Sequence, residues 1–179
     1  LLKFVCELEL NAGNINLYAG RFNFSDLTNV IFSQNNDGLF FQFTGQSFGA
    51  SVYAGYTGLL NSNLVNILDK NGVAFTPTND IYALSEQFIP LMATISLPSL
   101  FLNQTVSLQA SGFVDLSAAQ YNRMYATLDL TGPLASTVFY DFTTSFGTEN
   151  FDTVMNYSNL NFSFFPVSNL FINAGFLYA

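Results

Sequence analysis

The chain has 179 residues, half of them hydrophobic and only 9% charged, and four Lys+Arg against twelve Asp+Glu give a net charge of -8. A soluble domain carries about 25% charged residues, so few charges are available here to keep a water-facing surface free of apolar patches. Scarce Lys and Arg argue against nucleic acid and a cationic surface helix; with no histidine and Cys6 as the single cysteine, an intrachain disulfide, a Cys/His zinc site and Ser-His-Asp or Cys-His catalysis are excluded.

Period-2 alternation of apolar and polar residues dominates the chain from its first residues. "LKFVCELEL" sets Leu2, Phe4, Cys6, Leu8 and Leu10 against Lys3, Val5, Glu7 and Glu9. "FIPLMATISL" sets Ile89, Leu91, Ala93, Ile95 and Leu97 against Pro90, Met92, Thr94 and Ser96. "TVSLQASGFV" and "RMYATLDL" follow, the second with Met124, Ala126, Leu128 and Leu130 against Arg123, Tyr125, Thr127 and Asp129. "LNFSFF" and "LFINAGFLY" close the series. The pattern predicts about ten strands, over 2–10, 15–25, 39–46, 49–60, 88–97, 104–114, 122–131, 135–145, 153–165 and 169–179. Most exceed the five or six residues usual in soluble strands and match the nine to eleven that cross a bilayer at a tilt. Only "LNSNLVNILDK" (60–70) carries a helical period, and no apolar run approaches the roughly 18 to 20 residues of a spanning helix.

The connections are expected to alternate. Short ones fall near Asn11–Asn14, Gly45–Gly49, Pro98–Asn103, Gly132–Leu134 and Pro166–Ser168. Longer, more polar ones fall at Asp26–Gly38, Asn61–Gln87, Asp115–Tyr121 and Phe146–Asp152. Tight turns on one side and longer loops on the other are the layout of a transmembrane barrel. A three-residue turn at Gly132-Pro133-Leu134 would pair Thr131 with Ala135, set Asp141 opposite Tyr125 and bring it diagonal to Arg123.

On these segments the chain resembles a bacterial outer-membrane β-barrel of the porin-like kind, at the level of pattern and over nearly its whole length. "LYAGRFNFSD" (17–26) with "NNDGLFFQFTG" (35–45) looks like a porin strand, loop and returning strand. The resemblance implies an all-β, antiparallel, up-and-down transmembrane barrel in the bacterial outer membrane, with membrane lipid and small hydrophilic solutes as partners. A homo-oligomer, or other outer-membrane or periplasmic proteins, would complete the set. Lys3, Glu7, Glu9, Arg21, Arg123, Asp129 and Asp141 would line the channel. Phe22, Phe24, Tyr56, Tyr140, Phe142, Phe162, Phe164, Phe176 and Tyr178 would form the interfacial aromatic girdles in place of the missing Trp. In bacterial barrels both termini normally lie on the short-turn side. Here segments 1 and 10 each adjoin a short turn and put both ends on the long-loop side, which predicts one β-barrel domain over 1–179 that is part of a larger barrel.

No catalytic, cofactor or metal site emerges. Glu7 and Glu9 share a face, but a solvated wall explains them; "NNDG" (35–38) and "DKNG" (69–72) lack the full spacing of a calcium loop. The expected function is a passive channel with a mild cation preference set by an acidic lumen. The alternatives are a non-conducting structural or adhesive surface barrel, or a soluble secreted β-sandwich or fibre subunit. An enzyme is the least supported reading.

Overall fold

β-branched and aromatic residues at period 2 favour an extended backbone whose side chains leave alternate faces. The computed structural model of the chain describes residues 2–59, 67, 86–116, 121–167 and 170–179. It is all β: ten strands in one sheet, and no described residue is helical. They are β1 (Lys3–Leu10), β2 (Gly13–Ser25), β3 (Ser33–Gly45), β4 (Gly49–Tyr56), β5 (Phe88–Leu97), β6 (Thr105–Asp115), β7 (Arg123–Ala135), β8 (Val138–Glu149), β9 (Thr153–Val167) and β10 (Leu170–Tyr178). Each pairs antiparallel with its sequence neighbours, in the order β1 to β10, and the sheet does not close: β1 and β10 are its two edges.

Continuous registers carry side-chain parity from strand to strand. Leu39 lies opposite Ala54, Ala54 opposite Leu91, Leu91 opposite Gly112 and Gly112 opposite Met124. This outer face holds the even residues of β1, β4 and β6 to β10 and the odd residues of β2, β3 and β5. Leu39, Val52, Leu91, Ile95, Leu108 and Phe146 stand exposed on it. The inner face carries the buried cluster of Phe22, Tyr53, Phe88, Met92, Phe113 and Tyr125, on which Ile31, Phe32 and Ile67 pack.

Three connections differ from expectation, for one reason: strand pairing overrides local turn chemistry. "NNDG" (35–38) is strand, not loop, because Ser33–Gly38 pair residue for residue with Gly20–Ser25. The connection of β2 to β3 is therefore only Asp26–Phe32. In the β7–β8 hairpin the strand runs through Gly132-Pro133, and the turn is Ser136-Thr137 with a bulge beside it. Proline lacks the N–H a ladder uses on both sides. Pro133 lies beyond Thr131, where the pairing of β7 with β6 begins, so it has a strand neighbour only in β8. The expected alternation of connection length is correspondingly weaker: β8 continues to Glu149 and joins β9 through Asn150–Asp152 alone. The helix expected over 60–70 and "DKNG" lie outside the described residues, Ile67 excepted.

Candidate functional site

The inner face divides along the strands. Its half nearer the short turns is polar and cross-linked by neutral hydrogen bonds between neighbouring strands. Asn16 donates to Gln42 (3.3 Å), Gln109 to Thr94 (2.9 Å) and Thr127 to Ser145 (2.9 Å), and the hydroxyls of Ser96 and Ser107 lie 2.9 Å apart. Thr143 Oγ1 donates to Asp129 (2.8 Å) and lies 3.4 Å from Asp141, so one hydroxyl stands between two carboxylates. Ser107, Gln109, Thr127, Thr143 and Ser145 are buried, whereas the leucines of the outer face are not. In this half of the sheet the soluble arrangement, in which apolar side chains are the ones removed from water, is inverted.

Toward the other ends of the strands the inner face becomes aromatic. Phe24 stacks on Tyr53 with ring centroids 3.9 Å apart, and Phe113 meets Tyr125 edge-on at 5.9 Å. Lys3 reaches back over the Tyr18 ring at 4.3 Å, a cation–π contact. Arg123 is the polar anchor of this half. Its Nε donates to Glu149 at 3.0 Å, its Nη1 donates to the Ile67 carbonyl at 3.2 Å, and its guanidinium lies 5.7 Å from the Phe88 ring.

The β2–β3 connection folds inward against the same half. Asp26 accepts hydrogen bonds from the Thr28 amide (3.0 Å), the Thr28 hydroxyl (2.6 Å) and the Phe32 amide (3.0 Å). Thr28 Oγ1 in turn accepts from the Val30 and Ile31 amides. Burial pushes the Asp26 carboxyl above its ordinary range, and these donors oppose the rise. Glu86, just before β5, is also raised, by burial first and then by Asp115, with Arg123 opposing.

Of the residues expected to line a channel, Lys3, Glu7, Glu9, Arg123, Asp129 and Asp141 stand on the inner face. Arg21 does not. It pairs across from Asp37 on the outer face, with Nε 2.9 Å from Oδ1, and its guanidinium also reaches the Leu59 carbonyl. Ile15 and Leu17 set the parity of β2, and Arg21 shares it. Among the expected girdle residues, Tyr56, Tyr140, Phe142, Phe162, Phe164, Phe176 and Tyr178 are on the outer face. Phe22 and Phe24 point inward into the aromatic cluster instead. Asp141 is opposite Thr131 rather than Tyr125, and the partner of Arg123 is Glu149, which lay in an expected loop.

No family model matches the chain, and no curated protein or solved structure is similar to it. Among the described residues no group of three or more His, Cys, Asp or Glu could hold a metal. The inner face can offer hydrogen bonds and negative charge to a solute: Glu7, Glu9, Asp129 and Asp141 occupy the short-turn half, while Lys3 and Arg123 lie toward the opposite strand ends.

Proposed function

We infer that the sheet is the wall of an outer-membrane β-barrel that conducts small hydrophilic solutes passively, with a mild preference for cations. The carrying observation is the inversion of the two faces: exposed leucine, isoleucine and phenylalanine outside, a hydrogen-bonded polar wall inside. Each such apolar side chain left in water forgoes about 1.5–3 kcal/mol, so a face built of them calls for hydrocarbon. In hydrocarbon every backbone N–H and C=O needs a partner, so this reading requires strands to pair with both edges. With ten strands in a meander, β1 and β10 run antiparallel to each other and are compatible with an up-and-down wall. The cation preference rests on the four carboxylates of the short-turn half.

A second reading, a non-conducting structural or adhesive barrel, is favoured by one observation: Ile31, Phe32 and Ile67 fill the aromatic half of the inner face. Planar-bilayer recording of the folded full-length protein separates the two. The channel reading expects a reversal potential of cation sign in a salt gradient, moved toward zero by Asp129→Asn with Asp141→Asn. Absence of conductance, including in the Ile31→Ala with Phe32→Ala variant, would sink it.

A further inference from the structure

The Asp26–Phe32 connection has more order than a link between two strands needs. Its own side chains satisfy its amides: Asp26 takes the Thr28 and Phe32 N–H groups, and Thr28 takes those of Val30 and Ile31. Asn29 adopts the left-handed conformation (φ 54°) that closes the turn, and its amide donates to the Asp26 carbonyl. Ile31 and Phe32, wholly buried, project from this turn onto the inner wall, where the Phe32 ring is 5.3 Å from Phe113. Among the described residues its polar ties to the wall are few. The Leu27 amide donates to Gln109 Oε1 at 3.1 Å, and Phe32 bridges Ile67, whose carbonyl Arg123 holds. Among the described residues the unit's hydrogen bonds are thus mostly within itself, and its hold on the wall is mainly the apolar packing of Ile31 and Phe32. A single neutral hydrogen bond contributes only about 0.5–1.5 kcal/mol.

We propose that this connection is a plug: the structure is the closed state of the channel, with Ile31 and Phe32 as the stopper and Gln109 and Arg123 as the wall residues that seat it. Apolar side chains meeting across the inner face exclude water from that half, so solute passes only when the turn swings away as a body. The conducting role rests on the channel reading above; the occlusion itself does not. Ser111 is a built-in reporter. It lies on the inner face between Met92 and Tyr125, is buried, and its hydroxyl has no hydrogen-bond partner among the described residues.

The test uses the full-length protein folded in lipid, with Cys6→Ser to remove the exposed native thiol and Ser111→Cys as the probe. A charged, water-soluble methanethiosulfonate reports access, and planar-bilayer recording reports conductance. Ile31→Ala with Phe32→Ala should accelerate labelling at least tenfold and raise the open fraction of the channel. Gln109→Met, which keeps the aromatic packing and removes the Leu27 tie, should give a smaller rise in both, and stands in if the double variant fails to fold. Labelling equally fast with and without the stopper overturns the plug whatever the conductance. Faster labelling with no conductance in any variant overturns the channel reading and leaves the occlusion.

Discussion

Arg123 illustrates how one inner-face residue can carry several partners. Its side chain and that of Glu149 are 12% and 6% exposed, so removing one breaks a buried ion pair. Arg123→Gln is expected to cost about 3–5 kcal/mol in a urea titration of the folded protein, and Arg123→Met with Glu149→Met to recover most of it. Thr28→Ala strips the acceptor from two amides and a donor from Asp26, and about 1–3 kcal/mol of stability should go with it, read in the same titration. Asp26 adds a pH dependence. Its folded-state pKa is raised, so the folded protein binds the proton more readily than the unfolded chain. The contribution is fully present below the ordinary carboxylate range and lost as pH rises through the raised value. Wild type should therefore lose stability relative to Asp26→Asn across that window; a constant difference would show that the carboxyl is unperturbed. Little of this was legible beforehand. Arg123 was placed on the correct face by its apolar neighbours, but Glu149 sat among residues that read as loop. Arg21 read as inward because β2 has bulky apolar residues on both faces: Ile15 and Leu17 outside, Phe22 and Phe24 inside. A lone cation cannot decide the parity of such a strand.

At the scale of the strand, period and length were legible and turns were not. The expected span 88–97 is β5 as found, and β6, β9 and β10 differ from their expected spans by at most two residues at either end. The failures include places where Gly, Pro, Asn and Asp read as breaks: "NNDG", Gly132-Pro133 and the Gly147-containing stretch Phe146–Glu149 are all paired strand. The second error moved Asp141 six residues along β7, from Tyr125 to Thr131, without changing its face, because a slip by an even number preserves parity. Two glycines should respond differently to the same substitution. Gly20 has φ 110°, and a Cβ there would run into the Leu2 carbonyl, so Gly20→Ala should loosen β1 from β2 and speed amide exchange in both. Gly112 faces open space on the outer surface, and Gly112→Ala should leave exchange and stability within about 0.5 kcal/mol of wild type.

For the whole molecule the decisive quantity is what the outer face meets. Composition raises that question, since 9% charge is far below the roughly 25% of a soluble domain, and the structure adds which residues make up that face. Ala110 lies near the middle of β6 on it. If lipid covers the face, Ala110→Arg should cost about 2–4 kcal/mol in a folding equilibrium measured in vesicles. If water does, the cost should be close to zero, and the membrane reading fails. The Arg21–Asp37 pair lies level with the ends of the flanking β1 and β4, where Lys3 meets Gly20 and Tyr56 meets Asp37, and should tolerate Arg21→Leu within about 1 kcal/mol, as residues near the headgroups do.

The two unpaired edges reach further than closure of a wall. β1 and β10 each present a row of unbonded backbone donors and acceptors, with side chains exposed on both faces. Because the edges differ, the β10 of one copy can take the β1 of the next, and that contact repeats without closing. Without a partner for either edge, this protein should not fall into shapeless precipitate but grow lengthwise, as ribbons that bind amyloid dyes and whose growth is poisoned by a peptide copying β10.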